Sequence, residues 1–506
     1  MQRGISVKKH SYRQLAVILI ITGMLLSNII YAPGAKASAT EDDELRYLKS
    51  VMDMIKEKYN GEVTDKQLIE GALKGMFGSM DPYTAYFTSE QADSFFNDLN
   101  GAYEGIGISM EQKGDYIVVI KAFSSSPAEK AGILPGDRIV SADGKNLISA
   151  STEEAASMIM GKSGTKVSLG ILRSNGDEVI IIEVTRAQIT INPVTYEIKD
   201  GVGYIRLDVF NSNAYEFMIK ALEEMDRSSI TKIILDLRNN PGGEVGQAVS
   251  IARMFVPQGL ITRLDFKSES VEDEEYFSYL ENPKYKLAVL VNGMSASASE
   301  ILAGAVQDTD AGTLIGAKTF GKAKVQNILP ILTPEAYIKY ESQLGIRQVD
   351  AYDLISKYGI SPADSEIIGW TKITTGIYTT PKGRMIDGIG LTPEIQIGDP
   401  DIINGIDAGS IQKLSITSKP TLDSVGMDVY NAEKILKIIG YDVDSADTIL
   451  DMKTFNAVWK FRVDRGLYPG GVLDFSTQKA LNSELDLKIL EIDRQYAKAV
   501  EVLNSK

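Results

Sequence analysis

Three serines alternate with alanine in Asn292-Gly293-Met294-Ser295-Ala296-Ser297-Ala298-Ser299-Glu300, and three lysines follow in Lys318-Thr319-Phe320-Gly321-Lys322-Ala323-Lys324-Val325-Gln326. A hydroxyl beside an amine can perform acyl transfer if burial lowers the amine's pKa enough for it to take up a proton. The usual competitors are missing. There is no cysteine, which removes thiolate nucleophiles, disulfides and thiolate metal sites. The single histidine is His10, in the basic N-terminal stretch, so the rest of the chain cannot build a Ser-His-Asp triad and any zinc site would need carboxylates alone. A hydrolase made from these residues must use another base. By residue type Ser295, Ser297 and Ser299 are all candidate nucleophiles, and Lys318, Lys322 and Lys324 are all candidate bases. Helix capping explains a single serine such as Ser299, but not three in five residues.

The elements that must position these groups come next. Past Pro193 the chain alternates strand and helix, the pattern of a mostly parallel sheet. Strands are expected over 203–209, 230–237, 286–291 and 312–317, and helices over 215–225 and 245–255. In such sheets sites lie at the carboxyl ends of strands. The loops after 230–237 and 286–291 are therefore the places for chemistry. The second carries the serines into a helix faced by Ile301, Leu302, Ala305 and Val306, and the amides at its N-terminus favour a developing negative charge.

Upstream, residues 41–99 read as helical, with Leu45, Leu48, Val51, Met52 and Ile55 at helical spacing. Residues 101–186 are β-rich with turn signals at Asp143-Gly144 and Asn175-Gly176. There, Gly105-Ile106-Gly107-Ile108, Ser126-Pro127-Ala128-Glu129-Lys130-Ala131-Gly132-Ile133 and Pro135-Gly136-Asp137-Arg138-Ile139 together resemble a PDZ domain. A glycine-bearing loop can turn its amides toward a peptide carboxylate, and the strand edge beside it can accept an added strand. The first forty residues place Arg3, Lys8, Lys9 and Arg13 before an apolar run over 15–32 and then Ala35, Ala37 and Ala39. That is a secretory signal or, at a length near the ~17–20 residues that span a bilayer, a retained anchor. Both put the bulk of the protein outside the cytoplasm. The net charge of −15 argues against a nucleic-acid partner.

Asp236-Leu237-Arg238-Asn239-Asn240-Pro241-Gly242-Gly243, the run from Ser295 to Glu300, and Thr319-Phe320-Gly321-Lys322 with Gln326 resemble the three motifs of the carboxyl-terminal processing peptidases, and a PDZ-like insert precedes them as in that family. The resemblance covers roughly residues 41–398. It implies that Ser297 is the nucleophile, that Lys322 is the general base, and that Gln326 orients the lysine. It also implies an oxyanion hole made by the N–H groups of Gly243 and Ala298, peptide binding by Gly105, Ile106, Gly107 and Ile108, and no metal or cofactor. Two departures stand out: Ala323 where the family usually has Gly, and a segment of about forty residues between Gln326 and Trp370 where relatives have a short connection. Further on, Asp451-Met452-Lys453-Thr454-Phe455-Asn456-Ala457-Val458 echoes Asp474-Phe475-Ser476-Thr477-Gln478-Lys479-Ala480-Leu481. In each, Asp and Thr sit where a helix would begin. This region resembles a peptidoglycan-binding three-helix domain, with Arg462 in place of the common glutamine.

The expected architecture is a multidomain α+β chain. It comprises a signal or anchor (1–40), an N-terminal helical region (41–99), a PDZ β-domain (100–188) and an α/β protease core with a mixed or parallel sheet (189–400, insert 327–369). A small helical peptidoglycan-binding-like domain (423–486) and a C-terminal helix (487–506), a candidate oligomer contact, follow. The family implies protein substrates met at their C-termini and often a homodimer. The N-terminal segment adds a membrane and the last domain adds peptidoglycan as possible partners. Two function classes compete: a PDZ-gated endopeptidase and a non-catalytic scaffold on the same fold. The presence together of Ser297, Lys322 and Gln326 favours the first.

Overall fold

The computed structural model describes residues 41–173, 178–269, 271–346 and 349–505. The expected signal segment 1–40, the Asn175-Gly176 turn and Arg347-Gln348 lie outside them. The chain divides into two compact units at Gly75. In the first, α1 (Glu41–Lys58) leaves Leu45 and Leu48 exposed. Helix α2 (Asp65–Gly78) begins there, with the Thr64 hydroxyl accepting from the Gln67 N–H at 3.2 Å, and buries none of its residues. No helix among the described residues is long and apolar enough to cross a membrane.

In the second unit, β1 (Ala85–Phe87) precedes α3 (Ser89–Asn100), whose N-terminus is closed by a Thr88–Gln91 capping box. The β-rich module follows: β2 (Ala102–Gly105), β3 (Ile108–Lys113), β4 (Tyr116–Ala122), α4 (Pro127–Lys130), β5 (Arg138–Ala142), β6 (Lys145–Asn146), α5 (Thr152–Ile159), β7 (Lys166–Leu172), β8 (Val179–Thr185) and β9 (Ala187–Thr190). Its main sheet runs β3-β4-β5-β7-β8 around Ile117, Ile139, Leu169 and Ile171, while β2 pairs with β9.

The α/β core opens with β10 (Val194–Lys199), β11 (Val202–Leu207), α6 (Ala214–Arg227), β12 (Lys232–Asp236) and α7 (Val245–Ala252). After β13 (Gly259–Phe266) and β14 (Glu274–Ser278) come β15 (Lys286–Val291), α8 (Ala298–Asp308) and β16 (Gly312–Gly316). Strands β11, β12, β15 and β16 pair in parallel. Ile233, Leu235, Val289 and Val291 enter one core, and Ile234, Ala288, Leu290 and Ile315 enter another on the opposite face. Runs this apolar belong to strands buried on both faces.

A second, antiparallel sheet was not foreseen. β17 (Lys324–Leu332) and β18 (Ile367–Thr379) form a long hairpin, with β1 and β13 on the other edge of β18. Between the hairpin strands lie α9 (Pro334–Leu344) and α10 (Ala351–Ser356), packed around Tyr340 and Leu354. The expected 327–369 insert is thus the hairpin's outer half plus a helical tip. β19 (Ile395–Gln396) closes the parallel sheet. The last module packs α11 (Met427–Ile438), α12 (Met452–Asp464) and α13 (Phe475–Ile492) around Leu436, Phe461 and Leu485. As the echo suggests, Asp451 and Asp474 cap their helices, accepting from Thr454 N–H at 2.7 Å and Thr477 N–H at 2.8 Å.

The helix expected over 487–502 is divided at Asp493, where α13 ends and α14 (Arg494–Asn504) begins. The apolar face read as an oligomer contact is covered within the chain. Tyr496, Ala499 and Leu503 of α14 bury against Ile234, Leu290 and Ile315, closing the second face of the parallel sheet.

Candidate active site

β12 and β15 lie side by side and parallel, so the loops at their carboxyl ends meet. The meeting is too close for side chains. A Cβ on Gly242, which has φ 105°, would lie 2.7 Å from the Ala296 carbonyl oxygen and 2.9 Å from the Ala298 nitrogen. Phe210 N–H bonds Gly242 O at 2.9 Å and Glu244 N–H bonds Phe210 O at 2.8 Å, which turns the Gly243 N–H away from Phe210. Asn292 ties the loops further, accepting from the Asn239 N–H at 3.0 Å.

The three serines separate by surroundings. Ser295 is buried and donates to the Leu237 carbonyl at 2.8 Å; Ser299 is buried and donates to the Asn240 carbonyl at 2.9 Å. Both hydroxyls knit the two loops. Ser297 alone of the three is partly exposed. It sits immediately before α8 with φ 56° and ψ −116°, a strained backbone for a residue with a side chain, of the kind that concentrates at functional sites.

The lysines separate in the same way. Lys318 is exposed, and Lys324 pairs with Asp387 at 2.9 Å. Lys322 is half-buried, its ammonium 4.8 Å from the centre of the Tyr83 ring. Loss of solvent pushes its pKa down, the nearby Lys372 cation pushes the same way, and Asp81 and Glu300 oppose. Gln326 lies on β17 opposite Thr374 and donates from Nε2 to the Thr374 hydroxyl at 3.4 Å.

Two residues that sequence reasoning gave no role join the serine to the lysine. Glu300 is fully buried, and its carboxylate accepts four hydrogen bonds: from the N–H of Ser297 (3.0 Å), the N–H of Lys322 (2.8 Å), the N–H of Gly321 (2.8 Å) and the Thr319 hydroxyl (2.6 Å). The buried Tyr378 hydroxyl lies 3.0 Å from the Ser297 carbonyl and 2.8 Å from the Lys322 carbonyl. The Ser-x-x-Glu spacing was a legible helix-start signal. That its carboxylate would also bind a loop twenty-odd residues away was not. Ala323 fits without strain: it stays out of the left-handed region and its methyl packs in the core.

Of the four residues of the glycine-bearing loop, Gly105 ends β2 paired with Ala187 and does not line the groove described next; Ile106, Gly107 and Ile108 do. Gly107 has φ 79°, and the carbonyls of Ile106 and Gly107 are held by Ala128 and Phe123 N–H groups, each at 2.9 Å. Ile106, Gly107 and Ile108 line a groove of about 480 Å3 with Phe123, Ile159 and Met160, and α3 contributes Asn97 and Asp98 to its wall.

Residues 201–367 match peptidase family S41, residues 105–184 match the PDZ domain, and residues 27–91 match the N-terminal domain of the activating protease CtpB. The chain is 31% identical to the carboxy-terminal processing protease CtpA of Bacillus subtilis (strain 168), over 97% of this chain and 96% of the relative. It is 29% identical to the carboxy-terminal processing protease CtpB of the same organism, over 90% of this chain and 87% of the relative. Among solved structures, the photosystem II D1 C-terminal processing protease is 25% identical with a TM-score of 0.38, over 71% of this chain and 88% of the other. The family matches and the curated relatives define a serine-type peptidase carrying a PDZ domain. The chain belongs to the carboxy-terminal processing protease family.

Proposed function

We propose that this peptidase cleaves protein substrates outside the cytoplasm, with Ser297 as nucleophile, Lys322 as general base and Gln326 orienting the lysine. The neutral Lys322 amine takes the Ser297 hydroxyl proton as Oγ bonds to the scissile carbonyl carbon. The resulting oxyanion is received by the N–H groups of Gly243 and Ala298, the second of them at the start of α8. Collapse expels the leaving amine, which takes the proton from the Lys322 ammonium. A water deprotonated by the again neutral Lys322 amine then attacks the acyl carbon, and as the bond to Oγ breaks the Lys322 ammonium returns its proton to Ser297, freeing the new carboxyl terminus. The observation that carries this reading is the double clamp of Glu300 and Tyr378 on the backbones of Ser297 and Lys322, beside the depressed lysine pKa.

In the same proposal the groove at Ile106–Ile108 takes the substrate's C-terminal carboxylate and lays the peptide along β3, gating access to Ser297. The division into a PDZ domain at 100–188, a peptidase core at 189–400 and a wall-binding module at 423–486 belongs to this reading. So do homodimer formation and envelope targeting by residues 1–40. Sedimentation of the full chain with insoluble peptidoglycan tests the wall-binding part.

The decisive measurement compares wild type with Ser297→Ala and Lys322→Ala on an unstructured protein substrate. Each variant is expected to lose about 10³-fold or more in kcat/KM, as removal of a nucleophile or its base does elsewhere. Equal cleavage by all three proteins rejects the assignment, and no cleavage by any of them favours a scaffold.

A further inference from the structure

Two helices of the core begin behind polar residues that do not cap them. Asn213 stands before α6 and Glu244 before α7, where a side-chain oxygen commonly accepts an N–H of the first turn, and neither makes that bond. Gln247 of α7 takes over the duty for α6. Its amide oxygen accepts the Tyr215 N–H at 2.9 Å, and its Nε2 donates to the Ser212 carbonyl at 3.1 Å. The side chains of Asn213 and Glu244 are thereby released for other partners.

Asn213 directs its Nδ2 donors at the two connections that flank the PDZ residues 105–184. They reach the Gly101 carbonyl at 2.7 Å and the Asn100 and Ile191 carbonyls at 3.3 Å. The two connections are themselves joined, Ile191 N–H to Gly101 carbonyl, at 2.7 Å. The approach is tight: a Cβ on Gly101, which has φ 59°, would lie 2.6 Å from Asn213 Nδ2 and 2.3 Å from Asn211 Nδ2. Beside Asn213, the Ser212 N–H donates to the Leu99 carbonyl at 2.9 Å. The same connections wall the peptide groove, through Ile191 and through Asn97 and Asp98 in the last turn of α3.

The other side of this short loop grips the glycine loop. Phe210 donates to the Gly242 carbonyl at 2.9 Å and accepts the Glu244 N–H at 2.8 Å, which brackets Gly243. The Ser212 hydroxyl donates to the Glu244 carboxylate, the one that capping left free. Residues 210–213 therefore bond on one side to the groove wall and on the other to both neighbours of Gly243.

We propose that Asn213 is a positioning residue that couples occupancy of the peptide groove to the Gly243 N–H, so that a bound C-terminus raises the rate of the chemical step as well as delivering substrate. An occupied groove favours the setting of Gly101 and Ile191 that makes the better wall. The Asn213 donors follow those carbonyls, and residues 210–213 carry the adjustment to the bonds that bracket Gly243. This inference rests on the roles given above to Ser297, Gly243 and the groove, and the test separates them.

The substrate is an internally quenched peptide with an amidated C-terminus, which offers the groove no carboxylate. The probe, added in trans, is a short peptide ending in a free apolar residue. The rate is read without probe and at saturating probe, with the probe Kd of each protein measured by fluorescence anisotropy. In wild type the probe is expected to raise kcat at least about fivefold, the lower end of coupling between distinct sites. Asn213→Asp keeps the size and remains a favoured residue before a helix, but turns acceptors toward three carbonyls. Its stimulation should fall below about twofold. A residue that only supports the fold would lower both rates by the same factor, so an unchanged ratio in Asn213→Asp overturns the inference. A wild-type rate indifferent to bound probe, alongside an inactive Ser297→Ala, also overturns it and leaves the Ser297 and Lys322 assignment intact. Undiminished cleavage by Ser297→Ala removes that assignment, and a probe that does not bind removes the groove reading and the coupling with it. Thermal melts identify a variant that fails to fold; Ser212→Ala, which cuts the link to Glu244 and leaves Asn213 in place, then carries the same comparison.

Discussion

A lysine amine works as a base near neutral pH only where its ammonium form is poorly solvated. Lys322 meets that condition in two ways, by burial and by the like charge of Lys372, which is itself half-buried with its ammonium 5.6 Å from the centre of the Phe95 ring and 5.9 Å from that of Phe87. Because the neutral amine is the active form, cleavage should fall as pH drops through the Lys322 pKa. Lys372→Met removes the repelling charge and lets Lys322 hold its proton to higher pH. The acid limb of the kcat/KM profile is expected to move upward, whereas Lys372→Arg leaves it in place. A limb that stays fixed in the Met variant would rule out this coupling. At this scale residue type alone says little: Ser295, Ser297 and Ser299 are chemically the same, and so are Lys318, Lys322 and Lys324. Burial and partners tell them apart, and those come from strands distant in the chain.

The elements show where a local reading runs out. β12, β15 and α8 were visible as apolar runs and a capped helix, because period and capping act within a few residues. The hairpin of β17 and β18 was not, since its pairing spans a helical tip and supplies Gln326 and Thr374 from opposite strands. α14 was legible as a helix but not as a lid on the parallel sheet. Its start is bolted to the loop that leads to Gly242 and Gly243: Arg238 pairs with Asp236 at 2.6 Å and with Asp493 at 2.8 Å, all three side chains being nearly or fully buried. Asp493→Ala would leave a buried guanidinium short of one anion. We expect a loss of ~3 kcal/mol in urea unfolding, the usual range for a broken buried pair, together with reduced kcat from the loosened loop. Full activity with undiminished stability would show that α14 docks without this pair.

Across the whole second unit, the PDZ module and the last helical module touch at an unusual contact. Lys113, at the end of β3, places its ammonium 3.1 Å from the centre of the Tyr430 ring on α11, and Lys434 approaches the same ring at 4.2 Å. Among the described residues no hydrogen-bond acceptor reaches the Lys113 nitrogen. Burial lowers its pKa from 10.5 to about 8; Lys434 adds to the shift, while Glu111, Asp447 and Glu433 oppose it. A lysine with a depressed pKa binds its proton more weakly when docked than when free. Docking should therefore strengthen as pH rises from about 8 toward 10.5 and weaken as pH falls through that window. Glu433, raised by burial to about 8, titrates at the lower edge of the window. Comparison of wild type with Lys113→Met by hydrogen exchange in α11 across this range isolates the lysine: the wild-type protection should climb with pH and that of the variant should not. Equal slopes would mean that Lys113 does not control the contact.

Composition, spacing and periodicity were enough to exclude histidine and cysteine chemistry and to place the serine loop after a buried strand, while resemblance in short motifs marked the PDZ-like and last helical modules. Each of these depends on residues close together in the chain. Folding supplied the rest: one carboxylate, Glu300, shared between the Ser297 and Lys322 backbones, a tyrosine from β18 spanning the same two, and the Tyr83 ring brought over the Lys322 ammonium by strand pairing. Those contacts join groups separated by tens to hundreds of residues. Local propensity has no bearing on them, because they arise only when distant strands share one core.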